Sequence, residues 1–418
     1  MSEPKKRILV LTADAGFGHR SAARAVVAAL EEVYGDRCQV DVVNPLDDKR
    51  APIVLREGQY DYDRLVRSVP ELYRIGYDAS DTTVTSAIIE STLTLLLFEV
   101  MLDLVRSYRP DAIVTTYPLY QASLEAIFTL RGQEIPLLTV VTDLAAVHRL
   151  WFMRTVEACC VPTPVVAAQA FNYGLTAEQV VVTGIPVNPA AFRDSRSQAE
   201  LRQELGWRDD LMTVLAVGSR RVDRLLDTLN VLNHFGMPLQ LVVVAGKDRD
   251  LYEELQKTEW HVPAHLYEYV PNVPLYMRAA DCVVCKAGGL VVTESLAAGR
   301  PMMLIDVIAG QETGNADYVV GGEAGDLARS DIEVLETISH WMMDDRALLR
   351  ERARNAAALG KPMAAYTIAD MVYQAACRGP QIHRQLFSRR TLIDLLNRNQ
   401  IKWGDTKELR EYRNDPPG

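Results

Sequence analysis

Two short stretches carry residue types that could do chemistry. The first is Gly16-Phe17-Gly18-His19, which follows an apolar run from Arg7 to Ala13 and precedes a helical pattern from about Arg20 to Val33. A histidine just past a glycine turn, at the carboxyl end of a strand, stands where an incoming acceptor can meet it. Imidazole titrates near neutrality, which suits removal of a proton from an alcohol. The blander options are that His19 caps the helix or fills a gap, or that Gly-x-Gly is a dinucleotide fingerprint. GFGHRSA lacks the third glycine of that fingerprint. The second stretch is Lys286-Ala287-Gly288-Gly289, between a buried-strand pattern at Asp281–Cys285 and a helical one at Leu290–Ala298. Glycines let main chain approach a ligand there, and a helix N-terminus offers unpaired N–H groups to a phosphate. The helix carries Thr293 and Glu294. Past the next strand, Pro301–Val307, a polar loop over Gly310–Asn315 holds Gln311, Glu312 and Asn315. The same polar residues also suit a solvated turn.

These groups need a scaffold that presents them at the carboxyl ends of strands. Apolar runs alternate with helical patterns through residues 7–183, pass a Gly-Ile-Pro-Val-Asn-Pro stretch at 184–189, and restart at Gln198. Such alternation predicts parallel sheets, here two doubly wound, Rossmann-like α/β domains facing a cleft. A length of 418 residues fits two cores better than one. The expected division is 1–189 for the first domain, with an irregular region at 45–81, then 190–378 for the second and 379–418 for a polar extension. A net charge of −10 argues against a general nucleic-acid binder. Six cysteines form no disulfide framework, and Cys282 and Cys285, a CxxC inside an apolar strand, read as buried thiols rather than a metal or redox pair. No targeting or membrane-spanning segment is recognisable.

Four stretches, in order, resemble the monogalactosyldiacylglycerol synthases and the related processive diacylglycerol glucosyltransferases. They are GFGHRSAARA, VVTDLAAVHRLWF followed by CCVPT, the interdomain passage from Val181 to Phe192, and KAGGLVVTESLAAGRPMML with IDVIAGQETGN, together covering about Arg7 to Gly325. The resemblance implies the GT-B fold and an inverting, metal-free transfer from a UDP-sugar, with no cofactor beyond the donor. His19 matches the family's general base toward the diacylglycerol hydroxyl. Gly18, Gly288 and Gly289 match the turns beside the donor, with Lys286 a candidate cation for its diphosphate. Glu294, beside Thr293, matches the acid that holds the ribose hydroxyls, although a glutamate near a helix start also interacts with the dipole. Gln311, Glu312 and Asn315 match the loop on the sugar hydroxyls, and Asp143 and His148 match polar positions on the acceptor side. In one departure, Gly218-Ser219-Arg220-Arg221 offers a single glycine where the family has a Gly-rich loop.

The resemblance implies UDP-glucose or UDP-galactose as donor and diacylglycerol as acceptor. Residues 49–74 hold six basic and four acidic side chains, interleaved with tyrosines. Tyr60, Arg64, Arg67, Tyr73 and Arg74 are therefore candidates for contact with an anionic lipid surface. A solvated loop is the plainer reading of this region. The expected location is cytoplasmic, peripheral on the inner face of the plasma membrane. The rivals are a transferase acting on a polyprenyl-linked peptidoglycan precursor and a catalytically silent nucleotide- or lipid-binding relative.

Overall fold

The computed structural model describes residues 4–15, 17–53, 55–57, 83–145, 147–218, 222, 224–308 and 311–382. Its first half runs β1 (Lys6–Leu11), α1 (Phe17–Tyr34), β2 (Cys38–Val43), α2 (Thr83–Tyr108), β3 (Ala112–Thr115), α3 (Gln121–Arg131), β4 (Leu137–Val140), β5 (Ala158–Val161), α4 (Pro164–Asn172) and β6 (Val180–Val182). The sheet is parallel throughout, in the order β2-β1-β3-β4-β5-β6. Strands such as AIVT and LLTV are buried at every position, as expected of a parallel sheet covered on both faces.

The second half repeats the plan. It runs α5 (Gln198–Leu205), β7 (Met212–Val217), α6 (Leu225–Asn233), β8 (Leu239–Val244), α7 (Arg249–Lys257), β9 (Ala264–Tyr267), α8 (Val273–Ala279), β10 (Cys282–Lys286), α9 (Gly289–Ala297), β11 (Met302–Asp306), α10 (Gln311–Gly321) and β12 (Gly325–Leu327). Its strands, also parallel, lie in the order β9-β8-β7-β10-β11-β12. The helices α11 (Asp331–Met342), α12 (Ala347–Leu359) and α13 (Ala364–Arg378) follow. In each sheet the strand order reverses once, between β1 and β3 and between β7 and β10. A crevice opens outside the carboxyl ends at such a switch point.

Three expectations need correction. Helix α13, assigned by position to the second half, packs on the first sheet. Its Ile368, Ala369, Val372 and Ala376 share one core with Ile8, Val10 and Val26, and Tyr373 stacks on Tyr34 at 4.0 Å. The chain therefore crosses between the halves twice, at residues 183–188 and 360–363. Both crossings rely on glycine: a Cβ on Gly184 (φ +88°) would lie 2.4 Å from Lys361 Cβ, and one on Gly360 would lie 2.1 Å from the Leu296 carbonyl oxygen. Second, the stretch expected as a loop at 310–315 forms the first turns of α10 from Gln311 onward. Its polar residues hid the helical period, which the apolar Val319 supplies only later. Third, α1 begins at Phe17, so Gly18 and His19 lie in its first turn instead of before it. Cys282 and Cys285 are buried free thiols, and burial raises both.

Candidate active site

His19 occupies the switch point of the first sheet. Its Nδ1 lies 2.8 Å from the Thr116 carbonyl oxygen, just past β3, while the Thr116 hydroxyl donates to the His19 carbonyl at 3.0 Å. A carbonyl only accepts, so this contact requires the proton on Nδ1 and leaves Nε2 with a lone pair. The Thr142 hydroxyl oxygen lies 2.8 Å from the same Nδ1. Tyr117 meets the imidazole edge to face at 5.0 Å, and Trp151 lies 6.0 Å away. Burial pushes the His19 pKa below its ordinary value, while the Asp143 charge and the Thr116 bond oppose that shift. The positive end of α1 acts in the same direction as burial. The result is a neutral imidazole with its basic nitrogen unprotonated.

The switch point of the second sheet holds the glycine turn. Gly288 precedes α9 and Gly289 opens it. Lys286, the last residue of β10, pairs with Glu312 near the start of α10, and both side chains are largely buried. Glu312 also accepts from the Ile308 amide at 3.0 Å, and Asn315 Nδ2 donates to the Ala287 carbonyl at 3.0 Å. A Cβ on Gly288 would lie 3.4 Å from Lys286 Cε and 3.8 Å from Glu312 Oε1, so this ion pair stands beside the turn. The Thr293 hydroxyl donates to the Gly289 carbonyl at 2.7 Å. Glu294 is 9% exposed, and burial pushes its pKa up to about 8.

The two centres meet. The Thr142 carbonyl oxygen lies 3.7 Å from where a Cβ on Gly289 would be, and Ala22 of α1 and Leu144 share a core with Val292 and Leu296 of α9. The surroundings of His19 in one half and the glycine turn of the other therefore pack side by side.

Residues 19–187 match the model of the monogalactosyldiacylglycerol synthase family, and residues 213–368 match that of the glycosyltransferase family 28 C-terminal domain. The chloroplastic monogalactosyldiacylglycerol synthase of Spinacia oleracea is 33% identical over 376 residues, which cover 88% of this chain and 72% of the relative. The chain belongs to the monogalactosyldiacylglycerol synthase family. Monogalactosyldiacylglycerol synthase 1 of Arabidopsis thaliana, also chloroplastic, is 30% identical over 87% of this chain and 70% of its own length. Among solved structures, MurG of Acinetobacter baumannii aligns with a TM-score of 0.57 at 18% identity, over 89% of this chain and all of MurG. MnaA of Staphylococcus aureus, solved with UDP, aligns with a TM-score of 0.57 at 15% identity, over 88% of this chain and 96% of its own. At these identities the likeness speaks for the GT-B arrangement of two Rossmann-like sheets.

Against that family pattern, the structure gathers His19, Gly18, Lys286, Gly288, Gly289, Thr293, Glu294, Glu312 and Asn315 around the two switch points. Gly218 directly follows β7 and donates its amide to the Val244 carbonyl, and a Cβ there would lie 2.8 Å from Leu225 Cδ2. Asp143 accepts from the Trp151 indole at 2.9 Å, which ties it to the His19 surroundings. His148 instead serves the backbone, where its Nδ1 accepts from the Leu150 amide and caps the short helix Arg149–Trp151. Ser219, Arg220, Tyr60, Arg64, Arg67, Tyr73 and Arg74 lie outside the described residues, as does the side chain of Gln311. Thr116, Tyr117 and Thr142 escaped the sequence reading. Their one signal was polar residues directly after apolar strands.

Proposed function

We propose that this chain is an inverting glycosyltransferase that moves a hexose, galactose or glucose, from a UDP-sugar to the hydroxyl of diacylglycerol. The observation that carries the reading is His19, with Nδ1 committed to a carbonyl and next to Thr142, whose own carbonyl oxygen lies 3.7 Å from where a Cβ on Gly289 of the other half would be. Nε2 takes the proton of the acceptor hydroxyl as its oxygen forms a bond to the anomeric carbon from the side opposite the diphosphate. The bond from that carbon to the diphosphate oxygen breaks, and its electron pair leaves with UDP. The N–H groups of the first turn of α9 and the Lys286 ammonium would receive the growing negative charge. Glu294 would accept from the ribose hydroxyls, and Glu312 and Asn315 from or to the sugar.

Among the described residues no helix is long and apolar enough to cross a membrane. The reading has the chain meet its lipid acceptor from the water side. Arg64, Arg67 and Arg74 would contact anionic headgroups at the inner, cytoplasmic face of the plasma membrane, whereas the plant relatives named above are chloroplastic. The deciding experiment is incubation of the purified chain with UDP-galactose or UDP-glucose, with and without diacylglycerol vesicles. Acceptor-dependent UDP release together with a β-linked product supports the reading. UDP binding without turnover under both conditions would instead indicate a silent relative.

A further inference from the structure

Thr142 touches both halves of the site. It lies beyond the end of β4 and is buried. Its hydroxyl oxygen is 2.8 Å from His19 Nδ1, and its own carbonyl faces Gly289. Because the Thr116 carbonyl already requires a proton on Nδ1, the Thr142 oxygen is a second acceptor for the same N–H. A neutral imidazole gains little from sharing one N–H between two oxygens. An imidazolium, formed once Nε2 has taken the acceptor's proton, gains more, because hydrogen bonds from charged donors are about twice as strong. The contact thus strengthens as the ring becomes charged, and energy realised at that stage raises turnover rather than substrate affinity.

We propose that Thr142 is a positioning residue for the transfer: its hydroxyl holds the His19 ring as it charges, and its main chain rests on the glycine turn of the other half, so the base is aimed when the halves are together. This inference rests on the reading of His19 as the base.

The test compares Thr142→Val, which keeps the branched shape and removes the oxygen, with Thr142→Ser, which keeps the oxygen. The full chain is assayed with its UDP-sugar and diacylglycerol vesicles, beside His19→Ala. Thr142→Val is expected to lower kcat roughly ten- to a hundredfold with the donor KM within about twofold, and Thr142→Ser to recover most of the loss. Should Thr142→Val not fold, Thr142→Ala against Thr142→Ser makes the same comparison. Unchanged kcat in the oxygen-free variants, or a loss confined to KM, overturns the role of Thr142 while leaving His19 in place. An active His19→Ala removes the base itself and this inference with it.

Discussion

The Glu294→Gln substitution puts the buried carboxyl to a quantitative test. Glu294 lies on α9 behind the glycine turn, 9% exposed, and burial lifts its pKa from 4.5 to about 8. A pKa raised in the folded state means the folded chain holds a proton that the unfolded chain gives up. Stability therefore falls as pH rises from about 4.5, and the loss is complete only above about 8. With roughly 1.4 kcal/mol per pKa unit, the penalty is on the order of 3 kcal/mol at pH 7 and approaches 5 kcal/mol above pH 8. Glutamine matches the shape and never ionises, so the variant escapes this penalty. Denaturant midpoints for both proteins at pH 5, 6, 7 and 8, without nucleotide, are expected to coincide near pH 5 and to diverge in favour of the variant as pH rises.

Nucleotide makes the second half of the test. If ribose hydroxyls donate to Glu294, UDP binding favours the carboxylate and expels the proton that the empty site retains at pH 7. Calorimetric titration in two buffers of different ionisation enthalpy reads that release directly. The wild type is expected to release up to about one proton per UDP, while Glu294→Gln releases none and binds more weakly by roughly 1.5–3 kcal/mol, the worth of a hydrogen bond to a charged group. Parallel pH–stability curves for the two proteins would refute the protonated carboxyl. Proton release of equal size in both would refute its contact with the ribose.

His19→Ala is expected to abolish nearly all transfer while UDP affinity, measured by calorimetry, stays within about twofold, because the imidazole acts on the acceptor. Lys286→Met leaves Glu312 buried without its cation and is expected to destabilise the chain by about 3–5 kcal/mol, whereas Lys286→Met with Glu312→Leu recovers most of that in unfolding experiments while turnover stays low. Gly360→Ala and Gly325→Ala each drive a Cβ to 2.1 Å from a backbone oxygen and are expected to cost several kcal/mol, whereas at Gly289 the nearest atom is 3.7 Å away and alanine folds normally. Neutralising Arg64, Arg67 and Arg74 is expected to weaken sedimentation with anionic vesicles by about 1 kcal/mol per charge, with the difference shrinking in high salt. Binding indifferent to both changes would remove that region from the lipid surface.

The fold was legible wherever one physical signal ruled alone. Runs such as LQLVVV and MTVLAV are apolar at all but one position each because both faces of a parallel strand are covered, and α5 carries a helical period with clear ends at Ser197 and Gly206. The reading failed where two signals competed. Gln311-Glu312-Thr313-Gly314-Asn315 has turn composition, yet forms helix, because Glu312 ties back to Lys286 and the Ile308 amide, and Asn315 to the Ala287 carbonyl. Those bonds reach 26, 4 and 28 residues back, so no local window contains all of them. The docking of α13 is long-range in the same way: its apolar stripe specifies burial, but not which sheet receives it. The site divides along this line too. His19 and the glycine turn announced themselves by residue type. Thr116 and Thr142, which hold the imidazole, are ordinary threonines whose meaning lies in the 97 and 123 residues that folding brings together. A histidine is legible as a residue type, whereas the tautomer that its contacts impose is written only in the fold.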